Sequence, residues 1–128
     1  MSGVKFSIIE SKALQLGNNK FEQGTVNVAA ETTIKGGTIL KRGASEKTFV
    51  IAEAGDTPVA VVPFDMVNES TSAVNFGFRA IIGGEVRRDM LNLDGASPIS
   101  GAVVDSLRDH CGIIAVDSTD LSRVHPQP

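Results

Sequence analysis

The chain has 128 residues, of which 41% are hydrophobic and 21% charged, as expected for one globular domain with a modest core. It contains no run of ~20 apolar residues, so we expect no membrane span, and its start is too weakly apolar to predict a signal peptide. Its single cysteine, Cys111, excludes an internal disulfide and a cysteine-based zinc cluster, and it fits a reducing cytoplasm.

The charge is unevenly distributed along the chain. Residues 1–47 carry seven Lys/Arg and four Glu, a net charge of +3, whereas residues 48–128 carry five Arg and eleven Asp/Glu, a net charge of −6. The basic front is either solvated or suited to an acidic surface. Its basic residues are scattered and not interleaved with aromatic side chains, so we do not expect nucleic acid as a partner.

The start of the chain predicts an N-terminal arm. Apolar and polar residues alternate there, with the two-residue period of a strand that has one apolar face. Such an arm can add to the sheet edge of another protein, and the alternative is an edge strand of the chain's own domain. The arm residues concerned are Val4, Lys5, Phe6, Ser7, Ile8 and Ile9. We therefore predict an arm over residues 1–20, loosely tied to the domain when the protein is alone, a β-rich domain over 21–117 and a polar tail over 118–128.

The middle of the chain predicts short strands. They are expected at residues 25–29, 38–40, 48–52, 59–62 and 73–82. The fourth is continuously apolar, which favours burial on both faces, and the fifth alternates most clearly. A polar loop is expected at 68–72. Gly83 and Gly84 then predict a tight turn.

A helix is predicted over residues 98–110. Ser97 can cap it, Pro98 suits its first position, and Gly112 can end it in a left-handed conformation. A buried strand follows at 113–116. The stripe predicted to face the core comprises Ile99, Ala102, Val103 and Leu107. These elements predict a mostly β domain (α+β) with one short helix.

No motif in the sequence indicates catalysis. His110 and Cys111 are adjacent, but sequence neighbours usually point apart, so we interpret them as a helix-end histidine and a small structural cysteine. Asp89 and Asp94 are too far apart for a simple calcium loop, and neither glycine pair fits a phosphate loop. The polar residues 117–120 could ligate a hard cation, but four surface polar residues after a strand are usually a turn. We therefore expect no enzyme activity, no cofactor and no metal.

The order of elements from residue 58 to residue 116 resembles the lambda-type bacteriophage head decoration proteins. The matching pieces are GDTPVAVV (55–62), a polar loop (68–72), an alternating strand (73–80), GEVR leading to Leu91, the helix (98–110) and a glycine-led strand (112–116). Two departures are that Ala60 replaces a more usual glycine and that the first 36 residues match no part of the pattern.

This resemblance implies a structural protein of the virion. It implies a homotrimer that is assembled in the host cytoplasm, binds the major capsid protein on the outside of the mature head and braces the shell against DNA pressure. Two alternatives stay open: another virion module from a tail, neck or fibre, and a small non-viral ligand-binding β-barrel. The first would differ in oligomeric state, and the second requires an enclosed pocket with convergent polar groups.

Overall fold

The computed structural model describes residues 4–6, by their backbone, and residues 14–117. A short 3-10 turn spans Arg88–Met90. In chain order the elements are β1 (Val4–Phe6), β2 (Gln15–Val28), β3 (Thr32–Ile34), β4 (Ile39–Arg42), β5 (Thr48–Ile51), β6 (Ala60–Val61), β7 (Met66–Asn68), β8 (Val74–Arg87), α1 (Gly101–Cys111) and β9 (Ile113–Val116).

Five strands close into a barrel, and a sixth extends it. The sheet order is β2-β5-β4-β6-β8-β9, and a further pairing of β2 with β8 closes the ring. The strand β9 runs parallel to β8 outside the closure. The prediction of a mostly β domain with one short helix is thereby confirmed. Within the described part of the chain, no helix is long and apolar enough to cross a bilayer.

The strands β4 and β6 and the middle of β8 bury residues on both of their faces, and this creates two cores. Successive residues of a strand face opposite sides, so Leu40 and Ala80 point into the barrel while Ile39 and Ile81 point out under α1. The inner core comprises Val26, Val28, Ile34, Leu40, Phe49, Ala60, Val62, Met66, Phe76, Phe78 and Ala80. The outer core comprises Leu14, Ile39, Ala52, Val61, Ile81, Val86, Leu91, Ile99, Leu107 and Ile113.

The predicted turn at Gly83 and Gly84 is wrong, because β8 continues through it to Arg87. Gly84 has a φ of +94°, and a side chain there would place its Cβ 2.5 Å from the carbonyl oxygen of Asn18. A glycine inside a strand often marks a close backbone approach of this kind. The glycine pair therefore bends one long strand past β2, and it does not join two strands.

The predicted end of the arm at residue 20 is also corrected. Residues 15–20 belong to β2, whose register places Gln15 opposite Val86 and Lys20 opposite Gly83, with bulges between them. The side-chain amide of Asn19 strengthens this pairing by donating to the Gly83 carbonyl at 3.3 Å. A polar stretch becomes a strand here because β8 supplies its ladder, so the predicted strand at 25–29 is only the last part of a 14-residue strand.

The helix starts three residues later than predicted. Ser100 is its N-cap, and the Ser100 hydroxyl oxygen accepts a hydrogen bond from the Val103 N–H at 3.4 Å. Pro98 lies before the helix, after a cis peptide bond. The predicted C-cap is confirmed, since Gly112 has a φ of +64° and its N–H donates to the Arg108 carbonyl at 3.1 Å.

Candidate functional site

Part of the predicted arm is a strand of a small second sheet. This sheet has the order β1-β7-β3, and β7 is a strand that the sequence pattern missed. The antiparallel register places Val4 opposite Asn68, Lys5 opposite Val67 and Phe6 opposite Met66. The remaining predicted arm residues, Ser7, Ile8 and Ile9, lie outside the described residues.

The expectation that the whole arm is loosely tied to the domain is therefore corrected. The backbone of residues 4–6 pairs with β7 as an edge strand of the chain's own domain, which is the alternative that the alternation left open. The physical reason is that β7 would otherwise present an unpaired edge on the side away from β3, and proteins usually cover such edges.

This arrangement leaves β1 at the end of its sheet. No described strand pairs with the side of β1 that faces away from β7. Main-chain N–H and C=O groups on an outer strand can hydrogen-bond to an extended segment of another protein. The outer edge of β1, which we call the β1 edge, is therefore the candidate binding surface of this molecule.

A buried amide fixes the strand on which β1 rests. The Asn68 Nδ2 donates to the carbonyls of Val28 at 3.0 Å, Ala29 at 3.1 Å and Ser72 at 3.0 Å. Its Oδ1 accepts from the Ser70 N–H at 3.0 Å and from the Ser70 hydroxyl at 2.6 Å. Sequence reasoning missed this role, although an Asn followed two residues later by Ser is a typical Asx-turn signal. The network ties β7 to the end of β2 and to the loop that follows β7.

The three predicted core residues of the helix all reach the outer core. Leu107 is fully buried, Ile99 is buried just before the helix begins, and Val103 is half-buried. The fourth residue of the predicted stripe, Ala102, is exposed. Helix geometry explains the difference, because at 3.6 residues per turn the five residues from Ala102 to Leu107 span about 140° around the axis, so the two side chains lie on different faces.

The adjacent histidine and cysteine do not form a reactive pair. His110 is exposed, whereas Cys111 is half-buried and its thiol donates to the Leu107 carbonyl at 3.1 Å. Burial raises the pKa of the Cys111 thiol to about 11. The thiolate is the nucleophilic form of cysteine, so a thiol that stays protonated at neutral pH is poorly suited to covalent catalysis.

The acidic side chains near the end of β8 are used in local ion pairs. Asp89 pairs with Arg87 at 2.9 Å, and Asp117 pairs with Arg88 at 3.5 Å. Across residues 14–117 there is no group of three His, Cys, Asp or Glu that could hold a metal ion. The neighbouring arginines Arg87 and Arg88 thus serve local ion pairs.

The barrel interior is filled by side chains. The rings of Phe49 and Phe78 lie 5.9 Å apart inside it, and Leu40, Ala60 and Val62 are fully buried around them. A ligand-binding barrel needs an internal cavity with polar groups that converge on the ligand. The packed apolar interior does not favour that alternative.

Comparisons with protein-family models, with curated proteins and with solved structures found no match. The features of the molecule that indicate a function are the order of its elements, the β1 edge and the chemistry of the described side chains.

Proposed function

We propose that this protein is a phage capsid decoration module. In this proposal it binds the outside of the mature head as a homotrimer and stabilises the shell against the pressure of the packaged DNA. The supporting observation is the order of β6, β8, α1 and β9, which follows the order of pieces in the lambda-type resemblance.

The architecture suits a binding role. The strands β4, β6 and β8 each contribute residues to both the inner core and the outer core, which favours a rigid body. A protein that binds only the expanded lattice stabilises that lattice by mass action, without any reaction. A rigid module transmits this binding free energy to the shell because little of it is lost in ordering the module itself.

The β1 edge is the proposed contact with the shell. An extended segment of the major capsid protein would lie alongside Val4–Phe6 and form main-chain hydrogen bonds there. A ring of three copies has heterologous interfaces and offers three such edges. Because the second and third contacts are then intramolecular, avidity exceeds the affinity of one edge by about 10²–10⁴-fold.

The direct test uses shells assembled from the proposed partner, a major capsid protein. Expanded and unexpanded shells are mixed with the protein, and co-sedimentation and the melting temperature of the shells are measured. We expect binding to expanded shells only, in multiples of three copies per threefold site, with a higher shell melting temperature. Equal binding to both forms, or none to the expanded form, would refute the proposal.

A truncation separates the β1 edge from the rest of the module. Deleting residues 2–6 should lower the melting temperature of the free protein, because β7 loses one of its two partner strands, and should weaken shell binding at temperatures where the barrel remains folded. Val50→Ser, at an exposed position on β5, is the matched control and should bind normally. Unchanged binding by the folded truncation would place the shell contact elsewhere.

Oligomeric state gives an independent check. We expect analytical ultracentrifugation at high concentration, or a reconstruction of the decorated shell, to show threefold symmetry. A stable dimer in both experiments would favour another kind of virion module.

A further inference from the structure

A groove separates α1 from the loop that connects β5 and β6. Its volume is about 300 Å³, which is at the small end of binding pockets and large enough for one apolar side chain with its neighbour. Ile39 and Pro58 are buried at its base, Leu93 and Val103 are half-buried, and Ala102 is exposed. Leu93, Val103 and Ala102 therefore leave apolar surface in the groove that the rest of the described chain does not cover.

The helical wall of the groove follows the spacing of one helix face. Ala102, Ser106 and His110 line it at intervals of four residues, which places them one above another along α1. Leu107 faces the outer core instead. The helix thus covers the barrel with one side and offers a second, partly apolar side to the groove.

The opposite wall is acidic. Glu53 and Asp56 lie on it, and the Asp56 carboxylate accepts a hydrogen bond from the Glu53 N–H at 2.9 Å and pairs with Lys41 at 3.0 Å. These two contacts, the backbone hydrogen bond first, lower the pKa of Asp56, so it is ionised at neutral pH. Lys41 balances Asp56, whereas Glu53 forms no ion pair with any described residue. One carboxylate beside the apolar slot is left without a cation.

We propose that this groove binds a protein segment that presents a large apolar side chain directly beside a lysine or arginine. The apolar side chain would pack on Leu93, Ala102 and Val103, and the cation would lie against Glu53. The charge of the occupant follows from the uncompensated carboxylate, because matched charge across an interface favours the right partner and disfavours acidic ones. This inference does not rest on capsid binding and is tested separately from it.

The test follows backbone amide chemical shifts of the full chain while dipeptides are added. The probe is N-acetyl-leucyl-arginine amide, and its controls are N-acetyl-leucyl-glutamate amide and N-acetyl-glycyl-arginine amide. We expect saturable shifts centred on residues 53–58 and 102–110 with the probe, and affinities for both controls that are weaker by roughly tenfold or more. Equal affinities for the three peptides, or shifts spread over the whole surface, would overturn the proposal.

Variants on one helix give the matched comparison. Ala102→Gln places a longer polar side chain in the groove and should weaken binding of the probe at least tenfold. Asp109→Gln introduces the same residue at an exposed position outside the groove and should leave binding unchanged. Glu53→Gln should reduce the preference for arginine over glutamate while keeping the preference for leucine over glycine. Wild-type affinity in Ala102→Gln, or an unchanged charge preference in Glu53→Gln, would contradict the assignment.

Discussion

Gly37→Ala tests the tightest backbone crossing in the fold. Gly37 has a φ of +94°, its N–H donates to the Val62 carbonyl at 2.8 Å, and its carbonyl accepts from the Asn92 N–H at 3.0 Å. A Cβ at this position would lie 2.8 Å from the carbonyl carbon of Met90 and would overlap the Met90 carbonyl oxygen. The loop before β4 and the chain after β8 can therefore meet here only if residue 37 has no side chain.

The expected loss of stability has three parts. A non-glycine residue in the left-handed region costs about 1–2 kcal/mol. Moving the backbone of Met90 out of the clash costs about 1–3 kcal/mol, as overpacking does. Weakening one of the two hydrogen bonds costs about 1 kcal/mol. The free energy of unfolding should therefore fall by about 3–6 kcal/mol for Gly37→Ala.

Gly55→Ala is the matched control. Gly55 has a φ of +92°, nearly the same as Gly37, but a Cβ there meets no atom within 4 Å. It should lose only the conformational part, about 1–2 kcal/mol. Urea unfolding at neutral pH measures both variants, with equal denaturant slopes required for the comparison. If the two losses agree within about 0.5 kcal/mol, which is the ordinary spread of surface substitutions, the crossing is not as tight as the structure has it.

Three further predictions concern packing, the buried amide and the thiol. Leu107→Ala should cost about 2–5 kcal/mol in urea unfolding and Val103→Ala, at a half-buried position, less than half as much; a loss below about 1 kcal/mol at Leu107 would mean that its placement is wrong. Asn68→Asp replaces the amide that donates to three carbonyls with a carboxylate and should lower the free energy of unfolding by about 3 kcal/mol or more. Asn27→Asp, at an exposed position, should lower it by less than about 1 kcal/mol. Similar melting temperatures for the two variants would show that Asn68 is not the donor of this network. Burial raises the pKa of the Cys111 thiol from about 9 to about 11, so the contribution of this thiol to stability is complete below pH 9 and is lost as the pH rises through 11. Over this pH range the wild type should therefore lose more free energy of unfolding than Cys111→Ser. Parallel pH profiles of the two proteins would exclude the effect.

Local pattern was sufficient for several elements and for the main helical anchor. The alternation of Phe76, Phe78 and Ala80 correctly predicts a strand with one buried face, because the period of two is a property of the strand itself. Gly112 is correctly predicted as the helix end, since its left-handed conformation depends only on the residues beside it. Leu107 is also correctly expected in the core. The β1 edge was predicted in part: its strand follows from alternation, whereas its pairing with β7 does not.

The remaining features depend on groups that are distant in the sequence. A glycine pair such as Gly83 and Gly84 permits either a turn or a close crossing, and only the position of Asn18 decides between them. The first half of β2 has no apolar period, so its strand exists because β8 satisfies its backbone N–H and C=O groups. Local sequence pattern is sufficient to show which residues can face a core and where helices and strands are strongly favoured. Which edges pair depends on the folded chain, because a strand's hydrogen-bond partners belong to another segment and leave no local pattern in its own residues.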